Sequence, residues 1–110
     1  MRGKTDLQTY LKLKAQLSEI CPQIEVKLIS QDPKLKELGF SDYIPCEIEL
    51  CGTDAQIEEL EDMIFNFETD AFNTSDEAYP PLDDHNYILY SKYGWIANLI
   101  YNFKHSGRYL

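Results

Sequence analysis

The stretch YIPCEIELC, residues 43–51, decides the fold. Ile44, Cys46, Ile48 and Leu50 fall on one side of an extended chain. Tyr43, Glu47, Glu49 and Cys51 fall on the other, and this period of two predicts a half-buried strand. Pro45 has no N–H to give to a ladder, so it belongs at the strand start or on an edge. Upstream, residues 23–30 alternate in the same way, with Ile24, Val26 and Leu28 opposed to Glu25 and Lys27. Between the two strands Asp32-Pro33 opens a short helical turn and Gly39 closes it. Antiparallel pairing is the expectation, being the commoner sense.

Helical periodicity surrounds this pair. Thr5 and Gln8 match a capping box, and Leu7, Tyr10, Leu11, Leu17, Ile20 and Cys21 lie near one face, which predicts a helix over 5–21 ended by Pro22. After the second strand, Thr53 with Gln56, or Asp54 alone, caps a helix that runs to about Phe72 on the stripe Ile57, Leu60, Ile64, Phe67 and Ala71. A polar loop, 73–84, leads to a last helix over about 84–105, capped by Asp83 or Asp84 and ended at Ser106-Gly107. The β-rich run 86–91 offers a strand as the competing reading there. The expected fold is α+β. A small two-stranded antiparallel sheet packs against an N-terminal helix and a C-terminal helical hairpin, in the order α-β-(short helix)-β-α-α. Residues 1–110 form one acidic domain, in line with the usual domain size.

Charge is distributed unevenly along this framework. Residues 37–91 hold fifteen carboxylates and no lysine or arginine, while both flanks carry an excess of base; the net charge is −9. Phosphate contacts require Lys and Arg, so a broad nucleic-acid-binding surface is disfavoured, as is binding to an anionic membrane. No run of apolar residues is long enough to span a bilayer, and the N-terminus lacks the apolar core of a signal peptide. Cys21, Cys46 and Cys51 form no CxxC, which points to reduced thiols and a cytoplasmic location. Cys21 and Cys46 read as small core residues, Cys51 as the exposed one.

The chemistry-bearing patterns are few. There is no glycine-rich phosphate cradle and no metal-ligand spacing; Cys46 and Cys51 face opposite sides of a strand, and the acidic loop lacks the calcium-loop pattern. No cofactor is expected. His85 and His105 read as helix-terminus residues. Glu47 and Glu49 share a strand face at roughly 7 Å, a spacing that suits acid–base work but more commonly marks a charged sheet face. Glu58, Glu61, Asp62, Glu68 and Asp70 give the second helix a negative face with no lysine at i+4. Six of the eight tyrosines follow Ala78, and with Trp95 they suggest a contact surface through Tyr87, Tyr90 and Trp95.

The first functional expectation is therefore a non-enzymatic interaction protein. It would bind a basic protein surface through Glu47, Glu49, Glu58, Glu61, Asp62, Glu68, Asp70, Tyr87, Tyr90 and Trp95. In its sharpest form it imitates a nucleic-acid backbone and inhibits a DNA- or RNA-binding protein. The alternative is an oligomeric accessory domain with an aromatic homodimer surface. The third is a hydrolase-like enzyme using surface carboxylates or Cys51.

Overall fold

The computed structural model describes residues 1–31, 44–73 and 85–109. The elements run β1 (Arg2–Asp6), α1 (Leu7–Ile20), β2 (Glu25–Gln31), β3 (Pro45–Cys51), α2 (Asp54–Asn73) and α3 (His85–His105). The class is α+β, with three helices and one antiparallel sheet. The sheet has three strands rather than two, in the order β1-β3-β2, so the 43–51 stretch is its central strand. The expected short helical turn over 32–39, the loop 74–84 and the caps at Asp83 and Asp84 lie outside the described residues.

β1 is the strand that apolar patterning misses. Its inward positions are Gly3 and Thr5, neither of which advertises a core. A Cβ on Gly3 would stand 2.5 Å from the ring of Phe103, so the strand approaches α3 there only because the side chain is absent. Thr5 is 1% exposed and its hydroxyl has no hydrogen-bond partner among the described residues. The expected capping box of Thr5 and Gln8 is thus replaced by a cap one residue later. Asp6 Oδ1 accepts from the Thr9 N–H at 2.7 Å, and α1 starts directly from the strand. The buried face of α1 also differs from the expected one. Tyr10, Leu13 and Leu17 are buried, and Leu11, assigned inward from the sequence, is 56% exposed.

The other elements follow their sequence signals. Pro45 opens β3, where a missing donor costs least. Cys46, Ile48 and Leu50 point into the core. β2 pairs along the far side of β3 with a bulge between Leu28 and Ser30, which leaves Ile29 as the extra, exposed residue. The Thr53/Gln56 capping box is formed both ways: the Thr53 N–H donates to Gln56 Oε1 at 2.9 Å, and the Gln56 N–H donates to Thr53 Oγ1 at 3.1 Å. Residues 86–91 are helical, as the first reading had it. α3 ends where Gly107 adopts φ 71°, with its N–H on the Asn102 and Phe103 carbonyls.

All three helices cover one face of the sheet. Leu13, Ile48, Leu50, Leu60, Ile96, Leu99 and Ile100 are fully buried in one shared core. Each such side chain contributes roughly 1.5–3 kcal/mol by leaving water. α2 and α3 pack as a hairpin, and α3 is tied to α1 by polar bonds: Trp95 Nε1 donates to Gln16 Oε1 at 2.8 Å, and the Tyr93 hydroxyl donates to Glu19 Oε2 at 2.7 Å. The chain after α3 returns to the outer edge of β1. The Lys4 N–H donates to the Gly107 carbonyl and the Tyr109 N–H to the Lys4 carbonyl, which covers part of an otherwise open edge.

Candidate functional site

The structure separates the expected acidic residues into two surfaces. Glu47 and Glu49 stand on the uncovered face of the sheet. There the register places Arg2 and Lys27 on either side of Glu49, and Lys4 opposite Glu47. Arg2 Nε donates to Glu49 Oε2 at 3.0 Å. The sequence suggested that these acids had no compensating cation. The cations come from the basic N-terminal flank, through strand pairing across 22 to 47 residues of chain, which no local window reveals.

The second surface is the outer face of α2. At 100° per residue, positions 54, 58, 61, 62, 65 and 68 fall within about a third of the helix circumference. The core stripe of Ile57, Leu60 and Ile64 borders this face on one side. Asp54, Glu58, Glu61, Asp62 and Phe65 line a cleft of 390 Å³ with Met1, Ile57 and Lys104. Glu61 is paired with Lys104 and is the least exposed of these acids. Asp54, Glu58 and Asp62 are exposed and enter no ion pair among the described residues. Phe65, a large apolar ring 52% open to solvent, stands among them.

Asp54 and Phe65 were not among the residues expected at the site. Asp54 had been accounted for as a cap, and Phe65 lies off the Ile57–Leu60–Ile64 stripe. Its spacing four residues after Glu61 was the available signal. Glu68 extends the same face and is half-buried. Asp70 and Tyr87 fall within α2 and α3, and their side chains lie outside the described residues.

The aromatic candidates are held within the fold. Trp95 is half-buried, bonded to Gln16, with Lys12 Nζ 4.6 Å from its ring centre and the Tyr109 ring at 6.1 Å. Tyr90 is half-buried, with its ring across Gly94 one turn on.

Titrations displaced by the fold belong to other places. The Tyr93 hydroxyl and then Lys92 hold the Glu19 carboxyl below its usual range, and Glu19 in turn raises both Tyr93 and Lys92. Burial, with a smaller push from Asp6, moves the Cys46 thiol up to about 11, and burial also raises Cys21. Cys51 is half-buried on the opposite sheet face. Among the described residues no group of three or more His, Cys, Asp or Glu is arranged to hold a metal ion, and no helix is long and apolar enough to cross a membrane. No protein-family model matches the chain, and no curated protein or solved structure matches it significantly.

Proposed function

We propose that this domain is a non-catalytic interaction protein of a reducing cytoplasm, and that the outer face of α2 binds a basic protein surface. The observation that carries the reading is the cleft at Asp54, Glu58, Asp62 and Phe65. It offers three carboxylates that enter no ion pair among the described residues, beside an exposed ring. Lysine or arginine side chains of a partner would supply the missing charge, and Phe65 would cover their methylene stems or stack on a guanidinium. The chemistry is occupancy, since the groups whose titration the fold displaces lie elsewhere.

The spacing of the acids supports the sharper form, competition with a nucleic acid. Asp54 to Glu68 covers roughly 21 Å of helix, so five carboxylates give about one charge per 4 Å, or per 5 Å once Lys104 is set against Glu61. One strand of duplex DNA carries about one charge per 3.4 Å of axis. The row is about two-thirds as dense as one strand and about a third as dense as the duplex, so it would occupy part of a phosphate-binding groove. The reading as an aromatic homodimer has less support, because Trp95 and Tyr93 are engaged with α1.

Titration of a polyarginine peptide at increasing salt tests the proposal. Affinity should fall by about tenfold or more between low and physiological ionic strength, as charge-driven contacts do. An affinity indifferent to salt would overturn it.

A further inference from the structure

In a chain of net charge −9, almost every described cation has a partner inside the fold. Arg2, Lys92 and Lys104 hold Glu49, Glu19 and Glu61. Lys12 and Lys14 lie over the rings of Trp95 and Tyr10. Lys4 and Lys27 stand across from Glu47 and Glu49 in the sheet register. Arg108 has no acid or ring partner among the described residues. With Asn98, Asn102 and Tyr109 it lines a depression of 470 Å³ beside the end of α3, a size within the range of small-molecule sites, about 300–1,000 Å³.

The surroundings suit an anion. Residues 92–110 contain no Asp or Glu. Carbonyls at a helix C-terminus normally repel negative charge, but here Ser106 and Gly107 N–H groups and the Ser106 hydroxyl occupy those of Asn102 and Phe103. Asn102 Nδ2 donates to the Asn98 carbonyl at 2.8 Å and to Asn98 Oδ1 at 3.2 Å. That uses the acceptor of the Asn98 amide and leaves its NH₂ to donate outward. The backbone of Arg108 is fixed as well. Its N–H donates to Ser106 Oγ, and its neighbours Gly107 and Tyr109 bond to Lys4.

We propose that this depression is an oxyanion site that takes the phosphate of a small phosphorylated ligand. Arg108 is its charged contact, and the Asn98 amide and Tyr109 hydroxyl complete the donor set. Arginine forks match phosphate oxygens two at a time, which makes this contact the dominant one. The site is independent of the acidic cleft and stands whether or not that cleft binds a basic partner.

Trp95, the single tryptophan, lies against the Tyr109 ring and reports on the site. The full chain is titrated at constant ionic strength with inorganic phosphate, ribose 5-phosphate, ribose and acetate, following Trp95 fluorescence and the Asn98 side-chain amide resonance. Phosphate and ribose 5-phosphate should give saturable changes, with ribose and acetate silent. Arg108→Gln should weaken both phosphates by about tenfold or more with an unchanged thermal midpoint, and Arg108→Lys should fall between. No saturable response to either phosphate would overturn the proposal. So would acetate matching phosphate, or Arg108→Gln titrating like the parent chain.

Discussion

The outer face of the sheet and the outer face of α2 carry the same acids and differ in what answers them. On the sheet, Glu47 and Glu49 are interleaved with Arg2, Lys4 and Lys27 from the strands on either side. On α2, Glu61 meets Lys104, and Asp54, Glu58 and Asp62 meet nothing among the described residues. An exposed carboxylate beside a cross-strand cation is ordinary sheet design, in which opposite charges pair and the uncovered face stays wet. A row of carboxylates left open on a helix costs self-repulsion with no internal return. The fold thus assigns the sheet acids a local purpose and leaves Glu58 and Asp62 without an ion-pair partner among the described residues, which moves the functional expectation onto α2.

The largest effect that would break this contrast acts on β1, the strand that delivers Arg2 and Lys4. Gly3→Val would place a branched side chain where Phe103, itself 5% exposed, already sits. Overpacking at such a site costs about 1–3 kcal/mol. The urea midpoint should fall accordingly. The loss should be less than additive with Phe103→Leu, because the two side chains compete for one space. Additive losses would mean that Gly3 is there for some reason other than the ring.

Next in size is the binding contrast itself. Glu58→Gln with Asp62→Asn should weaken a basic peptide by about tenfold or more, since both charges lie in the cleft. Glu47→Gln with Glu49→Gln should change affinity by about threefold at most, because those charges are already answered within the sheet. Calorimetric titration of the two double variants against polyarginine separates the faces. A larger loss from the sheet pair would invert the comparison and return the site to β3.

The sequence carried these two faces unequally. The helix acids were legible, because helical spacing fixes which of them share a side and the Thr53/Gln56 box fixes where the helix starts. The alternation over 43–51 gave the inward and outward sets of β3 correctly, from Cys46 to Cys51. What could not be read was β1. Strand recognition relies on inward apolar side chains, and β1 buries a glycine and a threonine. Its one usable signal is electrostatic. Arg2 and Lys4 alternate with the same period as Glu47 and Glu49, but register couples them at a distance. On α1 the apolar residues Leu11 and Leu13 are about 200° apart, so only one can face the core, and it is Leu13. Trp95 was legible as important but not as internal, because Gln16 and Lys12, its partners, sit on a helix whose packing the pattern does not specify.

The smallest effect comes from a third acid that a distant segment answers, Glu19 of α1, bonded to Tyr93 and Lys92 of α3. The Tyr93 hydroxyl, and after it Lys92, hold its carboxyl below the ordinary value of 4.5 in the folded chain. A carboxylate with a depressed folded value stabilises the fold above its unfolded value, and that contribution is lost as pH falls through the folded one. Glu19→Gln should therefore lower the thermal midpoint at neutral pH, and the gap between variant and parent should narrow below about pH 4.5. Because Glu19 is exposed, solvent screening keeps the gap small, and added salt should shrink it further. A gap that stayed constant into acid would show that the carboxylate's charge is not what holds α1 to α3. The neutral hydrogen bond from Tyr93, which glutamine can still accept, would then have to be removed with Tyr93→Phe to find the contribution.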